Sequence, residues 1–289
     1  MKRTVEILKR CYSEYSPILC YSGGRDSGVL LDIVAKAISP DPFDVLYVRT
    51  RMEHPETESF VDETVASYGA TLHVAESGRH PTEIWDKQGW PFLGKGPAAP
   101  WNRRHKGWGF KLRVCCEQIK AIPGRRLSKR IGKNLQVTGM RGNEDDAVRG
   151  WRSSGGTIRW VDGAGIHMSE PLAGWTATMV DRYSAENSLP EHPARRDGTR
   201  SSVGCVFCGG GASYSVNPIR ESRIHMPREH RKFILLWKAG CVMLSIKYNK
   251  RLSIIERAVE RCGGVGALLD ERPWIFDYTR SPPLRGYVK

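Results

Sequence analysis

The stretch Tyr21-Ser22-Gly23-Gly24-Arg25-Asp26-Ser27 constrains this chain more than any other, because it sits where a strand meets a helix. Pro17-Ile18-Leu19-Cys20-Tyr21 is an unbroken apolar run ending at a turn, which predicts a buried strand. Beyond the glycines, Val29, Leu30, Ile33, Val34 and Ala37 fall at helical spacing along one apolar face. A strand, a tight glycine turn and a helix N-terminus together make an anion site. The two glycines let the backbone approach a phosphate, while free N–H groups and the helix dipole favour negative charge. Ser22 and Ser27 add hydroxyl donors, and Asp26 is placed to hold Mg²⁺ or to orient a nucleophile. The competing reading is an ordinary Ser-Gly-Gly turn, which the flanking strand and helix disfavour. No Gly-Lys-Ser/Thr follows, so the segment is not a Walker A loop.

At 289 residues the chain is long enough to bury a substantial core. No apolar run approaches the roughly 18 residues of a membrane span. Met1 to Arg10 reads as an amphipathic helix interrupted by charge rather than a signal peptide, so a cytoplasmic protein is expected. Net charge is +14, from 45 Lys and Arg against 31 Asp and Glu. The excess is clustered at Arg103-Arg104-His105-Lys106, flanked by Trp101 and Trp108. It recurs at Arg125-Arg126 with Lys129, Arg130 and Lys133, at Arg195-Arg196, and from Arg220 to Lys232. Basic clusters with interleaved aromatics suit a nucleic-acid surface, and one small nucleotide needs only a few of these charges. The bland alternative is that some of them bind a nucleotide and the others are solvated.

Eight cysteines in a cytoplasmic chain argue against a disulfide framework. Cys115-Cys116 is an adjacent pair, and Cys205-Val206-Phe207-Cys208 is a CxxC separated from it by 88 residues. A CxxC by itself admits zinc, a redox dithiol or an iron–sulfur cluster. Neighbouring thiolates on a helix diverge by about 100°, so they capture one tetrahedral ion awkwardly. A cubane offers separate irons to separate sulfurs. Cys11, Cys20, Cys241 and Cys262 lie in apolar or helical contexts and read as small buried side chains.

Further strands are predicted at Asp44 to Val48, Thr71 to Ala75 and Leu135 to Gly139. A helix after residue 57 presents Phe60, Val61, Val65 and Tyr68 to the core. Residues 184 to 204, rich in Pro, Ser, Arg and Gly, read as a loop that delivers the CxxC. Residues 229 to 262 carry helical periodicity. The expected architecture is α/β, a doubly wound and mostly parallel sheet with a small helical C-terminal part. Its expected division is a nucleotide-binding domain over 1–228, including the cysteines, and a helical extension over 229–289. A nucleotide should lie across the C-terminal strand ends, at the switch point beside the first strand.

Taken together, these motifs resemble the phosphoadenosine phosphosulfate and adenylylsulfate reductase-like superfamily of ATP pyrophosphatases, an adenine nucleotide α-hydrolase-like fold. Ser22 to Ser27 matches its SGG-x-DS pyrophosphate loop, with Arg25 in the variable position. Pro55-Glu56-Thr57 looks like its strand-end Pro-Glu-Thr. Thr138-Gly139-Met140-Arg141, with Glu144 and Arg149, is similar to its Thr-Gly-x-Arg…Glu…Arg stretch. Pro171-Leu172…Trp175-Thr176 looks like its Pro-Leu-x-x-Trp-Thr helix, although on spacing alone Trp175 is a core residue. Cys-Cys…Cys-x-x-Cys resembles the ligand pattern of its [4Fe–4S] members. The resemblance covers residues 15 to 225. It implies that Ser22, Gly23, Gly24 and Arg25 hold the pyrophosphate of ATP, with Asp26 and Ser27 catalytic and Mg²⁺ bound alongside. It implies that Arg141 and Arg149 clamp the α-phosphate side, and that Cys115, Cys116, Cys205 and Cys208 ligate a [4Fe–4S] cluster.

The superfamily divides by chemistry. Its reductases carry a nucleophilic cysteine in a Glu-Cys-Gly-x-His-like motif after the CxxC. The late candidates here, Cys241 and Cys262, do not match it, for Cys262 keeps the following glycine but lacks the histidine. The other branch uses ATP to adenylate an oxygen that sulfur then replaces, as in DNA phosphorothioation subunits and tRNA thiolases. The basic clusters favour this branch. Its implied partners are nucleic acid, DNA before tRNA, and a cysteine desulfurase or other sulfur donor, with a homodimer admitted. Adenylylsulfate reduction to sulfite is the alternative activity, and a binding module with a vestigial loop the third.

Overall fold

The computed structural model describes residues 1–38, 42–81, 84, 115–141, 157–196 and 205. Helix α1 (Lys2–Glu14) precedes β1 (Pro17–Cys20), α2 (Arg25–Ala37), β2 (Asp44–Arg49), α3 (Thr57–Ser67) and β3 (Thr71–Glu76). A π-helical turn, Glu117–Ala121, leads into α4 (Ile122–Arg130) and β4 (Leu135–Thr138). The hairpin β5 (Arg159–Val161) and β6 (Ile166–Ser169) follows, then α5 (Ala177–Glu186) and the short α6 (Pro193–Arg196).

The strands form one sheet in the order β3-β2-β1-β4-β6-β5. All neighbours are parallel except the β5–β6 pair. The chain winds outward from β1 through β2 to β3 and then crosses back to place β4 on the other side of β1. The switch point therefore lies between β1 and β4, where Cys20 is in register with Thr138. This is the doubly wound, mostly parallel sheet that the sequence predicts.

Alternation along β1 assigns the two faces. Leu19 and Tyr21 join Val45, Tyr47, Leu135 and Val137 in a core with residues of α1, α2, α3 and α5. Ile18, Leu46 and Ala75 meet Leu127 of α4 on the opposite face. There Gln136 of β4 donates to Ser128 Oγ (2.9 Å), which donates to the Gly124 carbonyl (2.9 Å), so a buried amide is satisfied by the covering helix.

Helix α2 is buried more widely than one stripe. Leu31 and Asp32 are enclosed along with Val29, Leu30, Ile33 and Val34, whereas Ala37 is exposed. The reason is that α1 and α5 both pack against it. The Pro-Leu-x-x-Trp-Thr segment corrects a second expectation. Pro171 to Gly174 form turns, and the helix begins only at Ala177, where Thr176 Oγ1 caps it by accepting from the Met179 N–H (3.2 Å). Trp175 is a core residue, 6% exposed, and its indole N–H donates to Thr4 Oγ1 (2.9 Å). The segment read as a loop from residue 184 contains the end of α5 and all of α6.

Two compact units partition the chain. One comprises Met1–Arg49, Glu56–Ser77 and Lys120–Arg196 and contains the whole sheet. The other comprises Thr50–Pro55, Gly78–Ile119 and Asp197–Lys289. The boundary expected at 228/229 and the helical extension lie outside the described residues. No helix among the described residues is long and apolar enough to cross a membrane.

Candidate nucleotide site and cysteine set

The loop after β1 is closed by its own serines. Ser27 Oγ accepts from the Ser22 N–H (3.3 Å), lies 3.2 Å from Ser22 Oγ and donates to the Gly24 carbonyl (2.9 Å). Ser27 is buried, so its hydroxyl holds the turn in shape. Gly23 has φ +73°, in the left-handed region where glycine is the default residue. Gly24 occupies the N-cap of α2 without a side-chain cap, which leaves the first-turn N–H groups unclaimed by a capping side chain.

From the neighbouring strand, β4 presses directly on this turn. A Cβ on Gly139 would stand 2.9 Å from the Asp26 carbonyl and the Ser27 Cα, so the strand end approaches α2 as only a glycine permits. Two residues on, Arg141 Nε donates to Asp26 Oδ1 (3.0 Å), with both side chains largely buried. The loop and the strand-end arginine thus meet at the switch point. Asp26, which the sequence places to hold Mg²⁺ or to orient a nucleophile, has one oxygen committed to Arg141. Arg25 takes the other direction and pairs with Asp181 of α5. A cavity of about 270 Å³ opens beside the loop, lined among others by Gly23, Gly24, Arg25, Gly28, Asp181 and Arg195.

A model of the phosphoadenosine phosphosulfate reductase domain matches residues 16–210, more than half of the chain. The chain belongs to this family. Over 201 residues it is 42% identical to the sulfate adenylyltransferase subunit 2 of Azospirillum brasilense, which is 66% of this chain and 64% of that protein. It therefore spans just under two thirds of that relative's length. Its fold is similar to that of phosphoadenylyl-sulfate reductase from Candida auris (TM-score 0.48, 22% identity, 70% of this chain and 87% of that one). It is similar too to a U34-tRNA thiolase of Methanococcus maripaludis with its [4Fe–4S] cluster (TM-score 0.46, 14% identity, 67% and 64%).

In this family member the described cysteines of the pattern all fall in the second compact unit. Cys115 is buried and Cys116 exposed at successive helical positions. Cys205 Sγ lies 3.5 Å from Thr50 Oγ1. Among the described residues no three metal-ligating side chains converge, and Cys208 lies outside them, as do Arg149, Cys241 and Cys262. Cys11 and Cys20 belong to the sheet unit, and burial pushes their thiols up to about 11 and about 12, which makes them inert packing groups.

Three contributors were not singled out from sequence. Gly139 stands in the sequence within the Thr-Gly-x-Arg segment, with nothing there to mark its close approach to α2. Asp32 accepts from the phenols of Tyr68 (3.0 Å) and Tyr183 (2.7 Å), which ties α2 to its neighbours. His192, 1% exposed, lies against Gly23. The sequence signal for it was slight, a histidine between Pro190 and Pro193 in a stretch that otherwise reads as loop.

Proposed function

We propose that this chain is an ATP pyrophosphatase that adenylates a substrate oxygen as the first half of a sulfur transfer, with nucleic acid as the acceptor and DNA preferred over tRNA. The observation that carries the reading is the meeting of the glycine turn, the uncapped α2 N-terminus and Arg141 at the switch point. Backbone N–H groups there suit a departing pyrophosphate, and Arg141, with Arg149, suits the charge on the α-phosphate. An acceptor oxygen attacks the α-phosphorus, its bond to the β-phosphate bridging oxygen breaks, and pyrophosphate leaves with that electron pair. The outer sulfur of a persulfide from a donor such as a cysteine desulfurase then attacks the adenylated centre, AMP leaves with the activated oxygen, and a thiol reductant cleaves the S–S bond to leave the sulfur on the acceptor. Ser22, Gly23, Gly24 and Arg25 are assigned to the pyrophosphate, and Asp26, with Mg²⁺, and Ser27 to the reacting centre. Ser27 acts there through loop shape.

The donor set fits an iron–sulfur cluster. Cys115, Cys116, Cys205 and Cys208 would hold a [4Fe–4S] group, and the divergent adjacent thiols favour a cubane over a single tetrahedral ion. When bound, the cluster would supply iron able to take up sulfur. The net charge of +14 supports a polyanionic acceptor.

A second reading draws on the relative named sulfate adenylyltransferase subunit 2. With sulfate as the attacking oxygen the same α-phosphorus chemistry applies, and a partner subunit would be expected. Reduction of adenylylsulfate is the third.

The deciding experiment offers anaerobically purified protein ATP and Mg²⁺ with DNA, tRNA or sulfate, and separately adenylylsulfate with a thiol. AMP and pyrophosphate stimulated by nucleic acid support the first reading. Stimulation by sulfate alone, with adenylylsulfate formed, supports the second. Sulfite with ATP untouched makes it a reductase. The same preparation should contain iron and sulfide, and Cys208→Ala should lose the brown absorbance; undiminished colour would remove the ligand assignment.

A further inference from the structure

His192 touches three segments: the α5–α6 link in which it sits, the start of α3 and the Gly23 turn. It stands between α5 and α6, and 99% of its surface is covered, since its exposure is 1%. Its Nδ1 accepts the Ala194 N–H (3.1 Å), so the proton of the neutral ring resides on Nε2. That Nε2–H is donated to Thr57 Oγ1 (3.0 Å), the first residue of α3 and the last of the Pro-Glu-Thr segment. The ring lies edge-on to Phe60 of α3 at 5.1 Å between centroids. Its Cδ2 is 3.6 Å from the point where a Cβ would stand on Gly23, so the imidazole forms the floor under the left-handed turn together with Val61 Cγ2 (3.4 Å) and Phe60 Cδ1 (3.6 Å) of α3. The imidazole also lines the cavity beside the loop.

We propose that His192 is a positioning residue for the loop at residues 21–27, fixing the Gly23 turn against the start of α3 through the Thr57 hydrogen bond and ring contact. This rests on the reading of that loop as the pyrophosphate site. A glycine turn has no side chain at its apex with which to anchor itself, so its shape must be imposed from outside. Ser22 and Ser27 hold it from the α2 side and Gly139 from the β4 side. On the remaining side stand Val61 and Phe60 of α3 and His192, and of these only His192 carries a hydrogen bond, to Thr57, that fixes its place. A loop that receives phosphate on its N–H groups works through pre-organisation, and small displacements of such groups are costly.

Two substitutions separate the functions of the two ring nitrogens. His192→Asn keeps an acceptor for the Ala194 N–H but cannot reach Thr57. His192→Gln carries an N–H donor at about the reach of Nε2. Thr57→Val removes the hydroxyl without changing shape. The first readout is amide hydrogen exchange of residues 21–27 in the nucleotide-free protein. His192→Asn and Thr57→Val should each accelerate it about tenfold, His192→Gln less, and the double variant no more than the singles, because one bond is lost in each. The second readout is ATP turnover, where the KM should rise about tenfold with kcat changed less than threefold. Unchanged exchange in folded His192→Asn protein overturns the proposal. So does a loss that merely tracks a lowered melting temperature across all three variants. Altered exchange in a wild-type background that never cleaves ATP would instead sink the functional reading and leave the positioning role standing.

Discussion

Glu170, the residue after β6, carries a carboxyl that is 1% exposed and whose two oxygens have no hydrogen-bond partner among the described residues. Burial pushes it up to about 8 from an ordinary 4.5, opposed only in part by the attraction of Arg159. The folded state therefore binds this proton more tightly than the unfolded chain. Stability from this group is complete below about pH 4.5, declines as pH rises, and is lost above about 8. The slope in that window approaches about 1.4 kcal/mol per pH unit. Glu170→Gln keeps the shape and cannot ionise, so urea unfolding between pH 5 and 9 should show a flatter profile than the wild type. Parallel profiles would show that the carboxyl is solvated or paired in solution.

At the scale of elements, α2 bears most of the organisation. Its N-terminus faces the loop, its apolar residues fill the larger core, and Asp32 sits in the middle of that buried surface, 2% exposed. The carboxylate accepts from Tyr68, Tyr183 and Lys36 Nζ (2.9 Å), so it ties α2 to the ends of α3 and α5. Burial and the Asp32 charge hold both phenols well above the usual tyrosine range. Asp32→Ala leaves two phenolic hydroxyls without their acceptor and should cost about 3 kcal/mol in equilibrium unfolding. A loss below about 0.5 kcal/mol, the range of ordinary surface substitutions, would mean the tyrosines find water. This residue also shows where sequence reading stops. Strands β1 and β2 are legible as apolar runs and β3 and β4 as short stretches of alternating apolar and polar residues, each near turn residues, and the loop is legible because glycine and serine spacing there has a mechanism. Asp32 is not, since one acid in an apolar helix has the same local pattern whether solvated or buried. The β5–β6 hairpin was missed because Arg159-Trp160-Val161 and Ile166-His167-Met168-Ser169 are short and half polar. Their strand character comes from pairing with β4 rather than from their own periodicity.

For the whole molecule, the question is where the charge excess acts. Arg126, Lys129 and Arg130 are exposed on α4, on the face of the sheet opposite the larger core. Basic residues in the last turn of a helix are favourable with any partner or none, because they complement the dipole. A nucleic-acid acceptor requires more of them than that. If this surface contacts phosphates, binding of a short DNA duplex should weaken linearly on a log–log salt plot, with a slope of about −0.9 per contact. Replacing all three by alanine should make the slope shallower by about 2 to 3 units while leaving DNA-independent ATP cleavage unchanged. Fluorescence anisotropy across a salt series measures it directly. An unaltered slope would move the contact surface elsewhere on the chain. Absence of salt-sensitive binding altogether would leave the charge to small anions, and sulfate would become the acceptor to pursue, since one sulfate dianion needs few cations and the chain carries 45.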